Sequence, residues 1–237
     1  MIDVNCDMGE GIGNDEAIMP YITSANIACG YHAGDEDIMK RSIELCLKHN
    51  VGIGAHPSYF DRENFGRKDV NLPPAQVYTL VKEQIQLFKK ITDKAKGILQ
   101  HVKPHGALYN RSAKDVEVAK AIASAVKDIG EDLILFGLSG SCSITEAKNL
   151  GLKTKSEVFA DRTYQDDGSL TPRTQSNALI EQEENSVQQV LQMVNEGVVT
   201  TVSGKRISII AETLCIHGDG KNAVGFAKRL NEVLKNL

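Results

Sequence analysis

The sequence predicts a closed, TIM-like α/β barrel of seven parallel β-strands, and three observations carry that expectation. Short β-rich runs alternate with amphipathic helical patterns along nearly all of the 237 residues, the signature of βα units around a parallel sheet. Seven such units in a chain of this length suit a closed or nearly closed barrel, with an open doubly wound sheet as the alternative. Polar residues gather where the β-runs end, the edge at which both architectures bind ligands. No shift in composition marks a boundary, so residues 1–237 are read as one domain.

The runs fall at 2–7 (IDVNCD), 24–29 (SANIAC), 51–56 (VGIGAH), 98–103 (ILQHVK), 132–138 (DLILFGL), 153–159 (KTKSEVF) and 207–216 (ISIIAETLCI). Between them, apolar residues recur at helical spacing. After Pro73 and Pro74, Val77, Leu80, Val81, Phe88 and Ile91 share a face, and proline suits the first helical position. Val187, Val190, Leu191 and Val194 form a second such face, and Ala223, Ala227, Leu230 and Leu234 a third. GVVTTVSGKR, residues 197–206, breaks the rhythm and reads as a small hairpin or an irregular excursion.

The composition is that of an ordinary globular protein, 41% hydrophobic and 24% charged. Net charge is −4 with scattered basic residues, which argues against a nucleic-acid face or an anionic-membrane anchor. No apolar run approaches the ~18 residues of a membrane span, and MIDVNCDMGE has no signal-peptide pattern, so a cytoplasmic location is expected. Five cysteines without a CxxC pair read as thiols, neither a disulfide framework nor a structural zinc site.

At the run ends stand Asn5, Asp7 and Glu10 after the first, His32 and Asp35 after the second, and His56 and Asp61 after the third. Lys103 and His105 follow the fourth, Asp161 and Arg162 the sixth, and His217 and Asp219 the seventh. Side chains two apart in a strand share a face. Asp3, Asn5 and Asp7 therefore point together, as do His101, Lys103 and His105, and Thr213, Cys215 and His217. Such an inward polar stripe is costly unless it is hydrogen-bonded or faces a cavity, so a polar pocket is predicted. For a single aspartate such as Asp35 or Asp61, a helix cap or turn is the simpler reading. Four histidines on four strand ends point instead to a site.

Nucleotide motifs fail on spacing. The run beginning at Gly9 would need a glycine where Asn14 stands, and both Gly-Lys pairs lack the P-loop glycine, with Val199 and Cys215 in its place. Asp7, His32 and His56 could together hold a divalent metal with an open position for water.

NCDMGEG, NIACGYHAGD, GAHPSYFDRENFGR, VKPHGALYN, EVFADRTY, LTPR and CIHGDG, in this order, resemble the LamB/YcsF family over essentially the whole chain. The resemblance implies a seven-stranded barrel similar to those of glycoside hydrolases and polysaccharide deacetylases. It implies ATP-driven cleavage of 5-oxoproline to L-glutamate, a cyclic amide hydrolysis, by a complex in which this chain is the A subunit beside subunits B and C. ATP would then be handled with those partners. The family often has Phe at Tyr31 and Pro at Phe60, and neither departure removes a titratable group.

The roles expected from strand-end placement are these. Asp7, assisted by His32 or His56, activates water; Lys103 and Arg162 hold the substrate carboxylate or the developing anion; His105 or His217 protonates the leaving nitrogen. Asn5, Glu10, Asp161 and Arg173 are expected against the substrate. The alternative for Lys103 is that it only neutralises Asp7, and for Asp161 that it only orients Arg162. A regulatory subunit without chemistry, and a metal-dependent carbohydrate deacetylase, are the rival readings.

Overall fold

In the computed structural model, which describes residues 2–218 and 222–235, seven strands close into one parallel barrel. They are β1 (Asp3–Met8), β2 (Ser24–Ala28), β3 (Gly52–His56), β4 (Leu99–Val102), β5 (Ile134–Leu138), β6 (Lys153–Phe159) and, after the hairpin strands β7 (Val198–Thr200) and β8 (Arg206–Ser208), β9 (Thr213–Ile216). The order around the barrel is β1-β2-β3-β4-β5-β6-β9, and β1 closes the ring by pairing with both β2 and β9.

Helices α1 (Asp15–Ile18), α2 (Glu36–His49), α3 (Pro74–Lys94), α4 (Gly106–Ser112), α5 (Val116–Ile129), α6 (Cys142–Asn149), α7 (Glu183–Glu196) and α8 (Ala223–Lys235) occupy the connections. Their apolar faces are those the periodicity predicts. Val77, Val81, Phe88 and Ile91 of α3 are buried, as are Val187 and Val190 of α7, and all four of the residues predicted for α8. The core therefore lies mainly between strands and helices, where Val4 and Val102 point, while the barrel axis receives the polar stripe. Asp35 caps α2, accepting from the backbone N–H groups of Asp37 and Ile38.

One predicted strand is divided. The run 207–216 splits into β8, which pairs antiparallel with β7, and β9, which enters the barrel. Apolar character continues through Ile209 and Ile210, but Ile210 is exposed and Glu212 turns back to accept from the Ser156 N–H. The residues at 197–206 thus make a hairpin, with β8 as its second strand. Among the described residues, no helix is long and apolar enough to cross a membrane.

Candidate active site

Lys103 stands at the centre of the C-terminal mouth, 2% exposed. Its Nζ lies 3.0 Å from Asp7 Oδ1, 2.9 Å from Glu157 Oε1, 3.1 Å from Asn5 Oδ1 and 3.2 Å from Cys215 Sγ. Burial opposes the ammonium charge, but Asp7, Cys215 and Glu157 outweigh it and hold the lysine well above its ordinary pKa. Three N–H groups facing four protein acceptors leave none to spare for a substrate carboxylate. Lys103 neutralises buried carboxylates instead, the alternative noted from sequence.

Asp7 is equally constrained. Oδ1 also accepts from Asn26 Nδ2 at 2.9 Å, and Oδ2 lies 3.3 Å from His56 Nε2. Burial raises its pKa, yet His56 and Lys103 bring it well below the usual carboxylate range. An acid so strong is a poor proton acceptor at neutral pH. This geometry holds Asp7 as a carboxylate paired with Lys103 and His56.

The three histidines of β2–β4 form one cluster with Glu10, and their hydrogen bonds fix their tautomers. His56 Nδ1–H donates to the Lys103 carbonyl at 2.6 Å, and His105 Nε2–H to the Phe65 carbonyl at 2.9 Å. Ser58 Oγ gives its proton to the Tyr59 carbonyl, so at 2.9 Å it accepts from His32 Nδ1–H. The remaining ring nitrogens face Glu10 Oε1, at 3.0 Å for His32, 3.4 Å for His105 and 3.9 Å for His56. The rings of His32 and His105 stack at 3.8 Å. Burial, with His56 next, lowers His32 to about 3 and His105 well below its ordinary value, so both are neutral at pH 7.

Local backbone brings these rings together. The Gly9 N–H donates to Asp15 Oδ2 at 2.8 Å, shaping the loop that carries Glu10. Gly66, at φ +64°, lies so close that an added Cβ would sit 2.9 Å from both His105 Cδ2 and His32 Cβ. Beside it Phe65 takes φ +56°, uncommon for a bulky residue, and in doing so offers its carbonyl to His105.

A second group faces Asp7 from β9. His217 Nδ1–H donates to Asp161, at 2.9 and 2.8 Å from its two oxygens, and Arg173 Nη2 donates to His217 Nε2 at 3.2 Å. Burial raises the Asp161 pKa, but His217 and Arg173 outweigh it and hold the carboxyl below its ordinary value. Asp161 orients His217 rather than Arg162. Arg162 donates to the carbonyls of Thr171 (2.6 Å) and Ala178 (3.3 Å), fastening the loop that carries Arg173. Arg162 thus borders the cleft while tied to that loop through Nε and Nη2, and exposed Arg173 overhangs the mouth.

A cleft of about 990 Å³ connects the two groups, bordered by Asp7, Glu10, His56, His105, Arg173 and His217 among others. Asn5 lies beneath it, wholly buried, donating to Thr213 and accepting from Asn26 and Lys103. Asp219 falls outside the described residues. Sequence reasoning missed Glu157 and Ser58. Glu157 lies two residues before Phe159 on an inward-facing register, opposite Thr213, so strand alternation was the signal available for it. The metal set expected from sequence also changes: His32 and His56 converge on Glu10 and His105, and Asp7 is held by Lys103.

Fold and site together define a β/α-barrel protein with an acid–base pocket at the C-terminal ends of its strands. The family model described as LamB/YcsF matches residues 2–237, and the chain belongs to that family. It is 51% identical to the 5-oxoprolinase A subunit of Oceanobacillus iheyensis over 99% of this chain and 93% of that one. It is 52% identical to the protein of the same name from Shouchella clausii, over 99% and 94%. The crystal structure of the lactam utilization protein from Thermus thermophilus superposes with a TM-score of 0.91 at 38% identity, covering 99% of this chain and 96% of that one.

Proposed function

We propose that this chain is the A subunit of an ATP-dependent 5-oxoprolinase, a cytoplasmic enzyme that hydrolyses 5-oxo-L-proline to L-glutamate. The observation that carries the reading is the oriented His217–Asp161 pair, with His217 within 4.8 Å of the Asp7 carboxylate at the cleft, in a chain about half identical to proteins of that name. Opening a five-membered lactam needs an electrophilic carbon, a deprotonated water and a protonated leaving nitrogen. Transfer of the ATP γ-phosphoryl to the amide oxygen supplies the first. One water then opens the ring and a second releases the phosphoryl group, so lactam, ATP and both waters give glutamate, ADP and phosphate.

The chain has no glycine-rich phosphate loop, so subunits B and C take the ATP chemistry and this chain takes ring opening. His217 Nε2, an acceptor in the present tautomer, removes the proton from the attacking water and returns it to the ring nitrogen, with Asp161 stabilising the imidazolium between the two transfers. Arg173 releases His217 to pair with the substrate carboxylate, a role suited to a guanidinium on an exposed loop. Glutamate release from 5-oxoproline and ATP, measured for this chain, for B with C, and for all three, tests the reading. Glutamate formed only in the full mixture is expected. A mixture that assembles and forms none overturns the substrate assignment and brings the metal-dependent hydrolase reading forward.

A further inference from the structure

We propose that Glu10, His32, His56 and His105 bind one divalent transition-metal ion of the zinc or cobalt(II) kind. Each imidazole has its outward N–H committed, to Ser58 Oγ, the Lys103 carbonyl and the Phe65 carbonyl, and each turns its other ring nitrogen inward. Metal-binding histidines are characteristically arranged in this way, because an acceptor behind the ring fixes the tautomer and raises ligand basicity. The inward nitrogens of His56 and His105 approach to 2.9 Å. Two bare nitrogens that close repel each other, so a positive charge, a proton or a metal ion, must lie between or beside them.

A proton can relieve one such pair. Here three nitrogens and a carboxylate oxygen converge, all within 4.8 Å of one another. Four donors about 2.0–2.1 Å from a tetrahedral zinc stand roughly 3.3 Å apart. Four of the six separations within this cluster, 2.9, 3.0, 3.4 and 3.9 Å, bracket that spacing. Three imidazoles with one carboxylate favour zinc, cobalt or iron over magnesium and calcium, which take oxygen.

The ligands come from the ends of β1, β2, β3 and β4, so the barrel itself fixes their positions. Glu10, His56 and His105 border the cleft and His32 lies behind them, which leaves the cleft side of the ion for water or a carbonyl oxygen. The neighbouring group of Asp7, Cys215 and His217 is a poorer site. The Cys215 sulfur accepts from Lys103, burial pushes its thiol pKa well above the ordinary value, and both His217 nitrogens are engaged. The inference concerns these side chains alone and does not depend on the substrate.

The chain is stripped with a chelator and titrated with Zn²⁺ by calorimetry, and with Co²⁺ by its visible absorption. One equivalent per chain and a four- or five-coordinate cobalt spectrum are expected. His56→Asn and His105→Asn should abolish both signals, and His101→Gln, which changes a buried histidine outside the cluster, should alter neither. Ser58→Ala touches no ligand atom but frees His32, and should weaken Zn²⁺ roughly 10- to 100-fold. That variant keeps the test decisive if the histidine variants do not fold. Absence of saturable binding at micromolar Zn²⁺ would mean that shared protons hold the cluster together and would overturn the proposal. Binding of undiminished strength in Ser58→Ala and Glu10→Gln would place the metal elsewhere and overturn it equally. Neither readout uses turnover, so the metal proposal stands or falls separately from the oxoprolinase reading.

Discussion

His217 and Lys103 are both strand-end basic residues in the sequence, and their hydrogen bonds give them opposite duties. His217 is oriented by Asp161 and open to the cleft once Arg173 leaves, so His217→Gln should lower turnover of the reconstituted enzyme by roughly 10²- to 10⁴-fold. Asp161→Asn should lower kcat with little change in KM, because it acts only through the ring, whereas Arg173→Met should raise KM. Steady-state kinetics on the three variants separates these outcomes. Lys103 neutralises Asp7 and Glu157, two carboxylates that are nearly or wholly buried. Lys103→Met removes the ammonium from both, leaving Asp7 with Asn26 and His56, and should destabilise the chain by about 3–5 kcal/mol in urea unfolding, the range for breaking one partner out of a buried ion pair. A loss below about 1 kcal/mol would show that the two carboxylates take up protons at little cost. The sequence placed Lys103 and His217 at the mouth but could not divide their duties, since that depends on which acceptors lie within reach of each nitrogen. Glu157 decides the matter for Lys103, and in sequence it resembles any exposed strand glutamate.

Elements were more legible than side-chain roles, for a physical reason that the loops make plain. Strand alternation and helical periodicity are local, and they give β1–β6 and the buried faces of α3, α7 and α8 directly. The 207–216 run misled because periodicity cannot report a chain reversal inside a continuous apolar stretch. Loop geometry is less local still: whether Glu10 or Asp7 joins the histidines depends on how the segments at Gly9 and at Asp61–Gly66 fold back. Gly66 is the test of that segment. Its positive φ, and the 2.9 Å that an added Cβ would lie from the His105 ring and from His32 Cβ, mean that Gly66→Ala carries backbone strain, of order 1–3 kcal/mol, and also displaces His32 and His105. Unfolding measurements should show the destabilisation, and titration with Zn²⁺ should show loss of the site even where the protein remains folded. Gly140→Ala is the control: it shares the positive φ but has open space around the added methyl, so it should cost stability and leave Zn²⁺ binding at the histidine cluster unchanged.

The whole barrel is organised by its polar axis, which continues below the site as a hydrogen-bonded column. Asp3 accepts from Ser24 and Thr213 near the N-terminal end, Thr213 accepts from Asn5, and Asn26 links Asn5 to His101. Gly54 is what admits His101: a Cβ there would lie 2.0 Å from the ring nitrogen. The alternation of Asp3, Asn5, Asp7 with Val4 made this polar interior legible in the sequence, whereas the need for Gly54 did not show, because it arises across two strands. The ring stacks on Phe136 at 4.2 Å and donates through Nε2 to Asn26, 2.9 Å away. Burial lowers its pKa from 6.5 to about 3, with Lys155, Lys103 and His56 acting in the same direction and Asp3 against them. The unfolded chain therefore takes up a proton on His101 as the pH falls below 6.5, and the native barrel does so only near 3. Its contribution to stability is complete above the upper value and is lost through that interval at about 1.4 kcal/mol per pH unit. Between pH about 7.5 and about 5 the loss from this one side chain should approach 2 kcal/mol. His101→Gln cannot titrate, so its urea-unfolding free energy should fall less over that range, by about the same amount. Comparing the two proteins cancels every other group that titrates alike in both. An acid limb of equal steepness would mean that water reaches the ring and that the column is hydrated rather than dry.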